Sequence, residues 1–310
     1  MKQQSFISPV IVTAGANYLD IDAYACMVAL SELLRLQGGN AVAWSAAAHN
    51  YSVCPSMVED GRILRELPEG WEENGRYIIV DVSDPDYLQK TVPLENVVAV
   101  YDHHVGFEDY WQSRIGGNTK IEFIGTAATL IYREWKKAGL QDRMTLPTAQ
   151  LLIAAILDNT LNLTSSNTTD EDRAVFRELC EYAAVGEAWC AAYFSEVQAG
   201  VEADLRNALM NDTKTVRDNP VLPSKVAQLC VWDAESILHR IPEIRSWFEG
   251  AWMLNIIDLQ NRCSWFVCDD DVYQEKIGRL FGVTFEKGVA KTPVAYLRKE
   301  IIKKTLSIGG

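Results

Sequence analysis

Residues 97–104 are Val97-Val98-Ala99-Val100-Tyr101-Asp102-His103-His104, an apolar run that ends in an acid and two histidines. A run rich in β-branched residues predicts a buried strand, and open α/β sheets bind their ligands at the carboxyl ends of such strands. The chain has only four histidines, and two of them stand here. Side chains alternate in direction along a strand, so one ring could bind a metal and the other a substrate. A chance pair of surface histidines is the competing interpretation.

Strand-like and helix-like segments alternate through the first half of the chain. This alternation predicts an α/β domain with a doubly wound, mainly parallel sheet. The predicted strands are 10–13, 41–44, 77–80 and 97–100, and the predicted helices are 23–36, 126–138, 148–157, 170–185 and 189–209.

The pattern breaks near residues 212–224, where Asp218-Asn219-Pro220 and Pro223 interrupt it. Strands at 226–232, 251–258 and 263–268 then accompany helices near 272–281 and 293–304, which indicates a smaller α+β domain. We therefore expect two domains, 1–195 and 196–310, with the active site in the cleft between them.

Composition narrows the class of protein. A formal net charge of −13 argues against binding to extended nucleic acid, which rewards clustered Lys and Arg. Seven cysteines without a Cys-x-x-Cys pair indicate free thiols in a reducing cytoplasm. No apolar stretch approaches transmembrane length, so the expectation is a soluble, cytoplasmic protein without a membrane partner.

Several carboxylates stand at segment ends that could face the histidine pair. Asp20 and Asp22 follow the first strand, Asp81 follows the strand at 77–80, and Asp158 ends an apolar helical run. Grouped carboxylates can hold divalent cations. Helix capping is the competing interpretation for Asp20 and Asp22, and Asp84, within a turn-like Ser-Asp-Pro, competes with Asp81. Asp158 opposes the dipole of its own helix, which suggests a cation partner.

Taken together, these segments resemble the DHH phosphoesterase superfamily. The resemblance rests on four motifs in order, and on a small-residue turn before a helix at 125–129. The motifs are Asp20-Ile21-Asp22, Asp81, Asp102-His103-His104 and Asp158-Asn159-Thr160. The second half is similar to the second type of DHH-associated domain, found in manganese-dependent (family II) inorganic pyrophosphatases and cytosolic exopolyphosphatases.

The resemblance implies a role for each motif residue. It implies two divalent cations, Mn2+ first with Mg2+ or Co2+ as alternatives, held by Asp20, Asp22, Asp81, His103 and Asp158, with Asp81 and Asp158 bridging. His104 would face the substrate phosphate, with Asp102 as the second catalytic residue. Lys214, Arg298 and Lys299 match the family's phosphate-binding positions, although Lys299 also fits an ordinary solvated helix face.

The implied activity is hydrolysis of phosphoanhydride bonds, with pyrophosphate or polyphosphate as substrate. A phosphodiesterase acting on short or cyclic nucleotides is an alternative that needs an aromatic side chain to stack a base, and the tryptophans at 232, 247, 252 and 265 fit core positions better. A phosphate-binding regulatory protein with weakened catalysis is the contrasting class. A homodimer is one assembly left open.

One position departs from the pyrophosphatase pattern. Those enzymes carry a histidine four residues before the first motif aspartate, and this chain has Ala16 there. Alanine offers no ligand atom, so either the substrate is a longer or different phosphoanhydride or the first metal site is weakened. Exopolyphosphatases also lack this histidine.

Restoring the histidine tests that interpretation. We expect Ala16→His to tighten Mn2+ binding and to raise pyrophosphate turnover, because imidazole is a good ligand for divalent transition metals. Titration calorimetry and phosphate release measure the two effects. Unchanged metal affinity and unchanged turnover would show that position 16 does not limit the metal site.

Overall fold

The computed structural model describes residues 9–15 and 19–306. Ala16 and Asn17 lie outside the described residues. By the density of contacts between Cα atoms, the chain divides into two compact units, Met1–Cys190 and Ala191–Gly310. Among the described residues, no helix is both long and apolar enough to span a bilayer.

Within residues 9–15 and 19–190, the first unit contains six short strands and a larger number of helices. Its elements are β1 (Val10–Thr13), α1 (Ile21–Leu36), β2 (Ala41–Trp44), β3 (Ile63–Leu64), α2 (Trp71–Asn74), β4 (Arg76–Val80), α3 (Pro85–Leu88), β5 (Val97–Asp102), α4 (Glu108–Ile115), β6 (Thr119–Ile121), α5 (Ala127–Ala138), α6 (Leu146–Asn159), α7 (Asp170–Ala183) and α8 (Glu187–Ala203), which crosses the division between the units.

The six strands form one parallel sheet in the order β3-β2-β1-β4-β5-β6. Ile11, Tyr77, Ile79 and Val100 pack on one face against side chains of α3 and α4, such as Trp111. Helix α1 contacts β1, β2 and β4, and also contacts α5 and α6. Because all strands run the same way, their carboxyl ends meet at one edge of the sheet, and Asp22, Asp81 and His103 come together there.

The second unit carries a mixed sheet. Its elements are α9 (Leu205–Asn211), β7 (Thr213–Thr215), β8 (Lys225–Val231), α10 (Glu235–His239), α11 (Ile241–Arg245), β9 (Trp252–Asp258), β10 (Cys263–Cys268), α12 (Asp271–Phe281), β11 (Val289–Lys291) and α13 (Arg298–Leu306). The strand order is β11-β10-β9-β8-β7, and only the β8–β9 pair is parallel. Apolar residues of the sheet pack against Ile277 and Phe281 of α12 and Ile301 of α13.

These observations confirm the predicted fold class, a doubly wound parallel sheet followed by a smaller α+β unit. One predicted element was wrong in detail, because the helix expected at 189–209 is two helices. Helix α8 ends at Ala203 and α9 begins at Leu205, with Asp204 between them at a non-helical φ of −136°. Short polar side chains such as Asp favour helix ends over helix interiors.

A buried carboxylate fixes the start of α7 and the turn before α5. Asp172 is fully buried, and Thr169 and Asp172 form a reciprocal capping box at the N-terminus of α7. The same carboxylate accepts the backbone N–H of Gly125 at 3.0 Å and the hydroxyl of Thr129 at 2.6 Å. A Cβ atom at Gly125 would lie 2.6 Å from Asp172 Oδ2, so only glycine fits this turn.

We expect Asp172→Ala to lower the free energy of unfolding by about 3 kcal/mol, because it leaves several buried donors without an acceptor. Asp170→Ala is the matched control, since Asp170 is an exposed acid in the first turn of the same helix and forms no such contacts with the α5 turn. Urea unfolding at neutral pH measures both. Equal losses for the two variants would show that Asp172 acts only through the helix dipole.

Candidate metal centre

Asp20 and Asp22 cap two different helices. Asp20 is the N-cap of α1, and its Oδ1 accepts the backbone N–H of Ala23 at 3.0 Å. Asp22 is fully buried, and its two oxygens accept the N–H groups of Ala127 and Ala128, each at 2.9 Å. Those amides open α5, whose N-terminus favours negative charge. Both acids therefore cap a helix, and the Asp22 cap also joins α1 to α5.

Asp81 stands directly after β4 in a left-handed backbone conformation, with a φ of 59°. Its N–H donates to the carbonyl of Tyr101 at 2.8 Å, so the neighbouring strand holds the backbone in place. Asp is among the few residues other than glycine that tolerate this region. Asp84, the competing carboxylate, caps α3 by accepting the N–H of Asp86 at 2.9 Å.

His103 lies between a backbone carbonyl and two acids. Its Nδ1 is 3.2 Å from the carbonyl oxygen of Ile124. Its Nε2 is 3.4 Å from Asp81 Oδ1 and 3.9 Å from Asp22 Oδ2. A hydrogen bond from Nδ1–H to a carbonyl leaves the Nε2 lone pair available, which is the usual arrangement for a metal-binding histidine.

His104 and Asp102 form a separate hydrogen-bonded pair. Asp102 is fully buried, and its Oδ1 accepts the backbone N–H of His104 at 3.0 Å and its Nδ1–H at 2.9 Å. This hydrogen bond raises the pKa of His104 more than burial lowers it. Burial alone would raise the pKa of Asp102, but the contacts with His104 outweigh it and the pKa is lowered. The side chain of His104 remains 65% exposed, so it can meet a ligand from solution.

The carboxylates of Asp81 and Asp22 lie close to the two histidines, and their pKa values show that their negative charges are not fully compensated by the surrounding described residues. One carboxylate oxygen of Asp81 and one nitrogen from each of His103 and His104 lie within 4.8 Å of one another. Burial, followed by the charges of Asp22 and Asp20, raises the pKa of Asp81 well above its usual range. Burial also raises the pKa of Asp22, although the neighbouring His103 opposes the change.

The atoms that face the centre of the group fit a divalent cation. Asp81 Oδ1 and His103 Nε2 are both buried, and neither has a hydrogen-bond partner among the described residues. Buried polar atoms are normally paired, so two orphaned atoms 3.4 Å apart require an explanation. An oxygen and an imidazole nitrogen together suit Mn2+, Co2+ or Zn2+. A cation between them would satisfy both atoms and reduce the repulsion among the acids.

Asp158 lies at the C-terminal end of α6, and a sharp turn follows it with Leu161, Asn162 and Leu163 all at positive φ. It is partly buried. The group of three ligand atoms around Asp81 does not include it. Its role as a bridging ligand stays a prediction.

Two of the predicted phosphate-binding residues of the second unit lie close to one strand pair. Arg298, the first residue of α13, donates from Nη1 to the carbonyl of Asp212 and from Nη2 to Asp212 Oδ1 at 2.5 Å. Its Nη1 also lies 3.5 Å from the carbonyl of Val226, the residue of β8 that pairs with Lys214 of β7. Lys214 and Lys299 are exposed, whereas the side chain of Arg298 is only 13% exposed.

The sequence did not point to Cys26, which lies beside Asp22. Its thiol donates to Asp22 Oδ1 at 3.4 Å. Burial and the nearby acids raise the pKa of Cys26 well above its usual range, so it acts as a neutral donor. Its position one helical turn after Asp22 was the available signal. The amides of Ala127 and Ala128 were also missed, although Gly125-Thr126 marks the helix start that presents them.

Comparison with known proteins gives relatives and a matching fold. No family model matches the sequence. A Deinococcus radiodurans protein named "probable manganese-dependent inorganic pyrophosphatase" is 28% identical over 57% of this chain and 55% of its own length. A protein of the same name from Shouchella clausii is 31% identical over 39% of this chain and 38% of its own length. The chain thus matches about half or less of these two relatives. A third, from Exiguobacterium, is 22% identical over 94% of this chain and 96% of its own length.

A solved structure shares the architecture of both units. A Methanococcus jannaschii protein assigned to the family II inorganic pyrophosphatases superposes with a TM-score of 0.61, at 19% identity, over 97% of this chain and 100% of its own. An exopolyphosphatase-related protein from Bacteroides fragilis gives 0.50, at 13% identity, over 97% of this chain and 91% of its own. The fold therefore matches that of the family II structure, a parallel-sheet unit followed by a mixed-sheet unit. The resemblance to the DHH phosphoesterase superfamily that was stated from the sequence is confirmed: the chain is similar in sequence to proteins named manganese-dependent inorganic pyrophosphatases and in fold to a family II structure.

We expect Asp81→Asn to raise the melting temperature of metal-free protein, because it removes a buried charge that Asp20 and Asp22 oppose. Added Mn2+ should then raise the melting temperature of the unmodified protein but not that of the variant. Asp84→Asn is the matched control, since asparagine caps a helix as well as aspartate does. Scanning calorimetry with and without Mn2+ measures all three proteins. An equal rise with Mn2+ in Asp81→Asn would remove Asp81 from the metal site.

Proposed function

We propose that this protein is a phosphoric-anhydride hydrolase that cleaves pyrophosphate or polyphosphate. The observation that carries the proposal is the pair of buried, unpartnered atoms Asp81 Oδ1 and His103 Nε2 beside the exposed ring of His104. This arrangement supports a cation site next to a polar ring that can reach a ligand. The relatives named manganese-dependent pyrophosphatases support the same chemistry.

The cofactor is two divalent cations, with Mn2+ favoured over Mg2+ and Co2+. Asp20, Asp22, Asp81, His103 and Asp158 hold them. Two such cations lower the pKa of bound water and neutralise charge on a phosphate. The protein itself contributes ligand positions: Asp22 is fixed by the α5 amides, and His103 is oriented by the Ile124 carbonyl.

His104 donates a proton to the leaving oxygen, and Asp102 positions His104 for this step. Asp102 holds Nδ1–H of His104 and thereby presents Nε2 to the substrate. Protonated, His104 stabilises negative charge on a phosphate oxygen and can donate a proton to the oxygen that leaves. Asp102 is buried behind it and acts through the ring, as a positioning residue.

The region 196–310 is proposed to bind substrate phosphates, and the region 1–195 to bind the cations. Arg298 offers a planar fork, and Lys214 and Lys299 offer exposed point charges. The phosphate would exchange with Asp212 at the Arg298 guanidinium.

We further propose a cytoplasmic protein. Among the described residues no two cysteines form a disulfide, and reduced thiols are typical of a reducing compartment. The net charge of −13 disfavours extended nucleic acid as a partner. A homodimer is the proposed assembly.

Phosphate release measured with Mn2+ against pyrophosphate, tripolyphosphate, long polyphosphate and a dinucleotide tests the function. We expect hydrolysis of the phosphoanhydrides, and we expect His104→Ala to lower kcat/KM about 100-fold through loss of proton transfer. His103→Ala should raise the Mn2+ concentration needed for half-maximal activity.

His239→Ala is the matched control, because His239 lies in α10 of the second unit and takes no part in the acid and histidine group. It should retain full activity. Metal binding without any phosphate release would indicate a regulatory protein and would overturn the proposed activity. Full activity in His103→Ala would overturn the site.

A further inference from the structure

Two residues with exposed apolar side chains lie on segments that hold or follow the histidine pair. Val105 directly follows His104 and is 54% exposed. Phe123 is 71% exposed, the highest value among the large exposed hydrophobic residues of the described chain. Single exposed apolar residues are common on protein surfaces, so exposure alone means little. What distinguishes these two residues is their location near the histidines and, for Phe123, the contacts that hold its backbone.

The backbone holds Phe123 firmly on both sides. Before it, the N–H of Glu122 donates to the carbonyl of Asp102 at 3.1 Å, and Arg133 binds both carboxylate oxygens of Glu122 at 2.8 and 2.9 Å. After it, Ile124 is buried and its carbonyl contacts His103 Nδ1. These contacts anchor the backbone on both sides of Phe123, so its ring is presented to solvent from an anchored segment.

Phe123 is also close to the proposed reaction site. Its neighbour Ile124 has its carbonyl oxygen 3.2 Å from His103. With consecutive Cα atoms about 3.8 Å apart, the Cα of Phe123 lies within about 10 Å of that ring. Val105 lies beyond the end of β5, and Phe123 beyond the end of β6, two strands that pair at Asp102 and Ile121. Both residues therefore follow the carboxyl ends of adjacent parallel strands, at the edge of the sheet where the histidines also lie.

We propose that Val105 and Phe123 bind the base of a phosphoanhydride that carries a nucleoside, and that Phe123 stacks on the base. This inference rests on the proposed function and names a substrate class for it. Aromatic rings stack on nucleobases irrespective of sequence. A nucleobase is uncharged, so stacking on Phe123 would add contact area without adding negative charge near a chain whose net charge is −13.

The reaction at such a substrate is the same hydrolysis. Water oxygen forms a new bond to phosphorus, the P–O bond to the bridging oxygen breaks, and the bridging oxygen leaves with the electron pair. The two protons of water end on the product phosphates or in solvent. The base takes no part in the bond changes, so Phe123 determines specificity only.

Adenosine 5′-triphosphate and inorganic tripolyphosphate form a matched pair of probes, because each has three phosphates and only one has a base. We expect Phe123→Ala to lower the ratio of kcat/KM for the nucleotide to that for tripolyphosphate about tenfold, in line with alanine substitutions of base-stacking aromatics. Phe123→Trp should keep the ratio or raise it. Leu146→Ala is the control, since Leu146 is another exposed apolar residue of the first unit, at the start of α6.

Equilibrium binding of both probes with Mn2+ is measured in parallel, so that the test does not depend on turnover. A base preference lost in Phe123→Ala but kept in Leu146→Ala supports the inference, even if no probe is hydrolysed and the proposed function fails. Turnover of both probes with a ratio that Phe123→Ala leaves unchanged overturns the inference alone. A dimer that Phe123→Ala converts to a monomer, seen by light scattering, would assign the ring to a contact between copies and would also overturn it.

Discussion

The buried carboxylate of Asp22 accepts two backbone N–H groups at the N-terminus of α5, and the orientation of His103 depends on this contact. By holding Ala127 and Ala128, it fixes the turn in which Ile124 and Gly125 lie. The carbonyl of Ile124 then orients His103, while the N–H of Gly125 is held by Asp172 from α7. Asp22 thus connects α1 and α5 to the histidine after β5, and Asp172 adds a contact from α7. Although the Asp22 carboxylate already caps α5, its Oδ2 lies 3.9 Å from Nε2 of His103. Asp22 can therefore hold the helix and still serve as a metal ligand.

The same geometry creates an electrostatic cost that a cation would offset. Asp81 is forced into a left-handed conformation at the end of β4, where its carboxylate points toward His103 and is repelled by Asp22 and Asp20. Strained backbone and unpaired buried atoms together are more informative than either alone, because folding gains nothing from them. Their coincidence at the carboxyl edge of a parallel sheet is what distinguishes a functional site from a helix cap.

Much of the first unit follows from its sequence. The strand ends that carry Asp81 and Asp102 were predictable because β-branched runs and parallel topology place them at one edge. The site was less predictable where a residue acts across long separations in the chain. Two tertiary contacts could not be predicted from any local sequence pattern: that of Asp22 with Ala127 and that of Asp172 with Gly125. Short edge strands such as β6 and β7 were missed because three residues give too little periodicity. The sequence also leaves Phe123 indistinguishable from a core aromatic.

Arg298 shows a second constraint that residue types alone did not reveal. Its guanidinium is already bound to the carboxylate and the backbone carbonyl of Asp212, and its backbone N–H is held by Gln228 at 2.6 Å. A phosphate that binds this fork must replace a carboxylate and must do so beside the displaced negative charge. A singly charged anion gains little from that exchange, because it offers Arg298 no more charge than Asp212 does. An anion with several charges and a bidentate face gains more. If Arg298 binds substrate as proposed, Asp212 would therefore favour polyvalent phosphates over simple anions at this position.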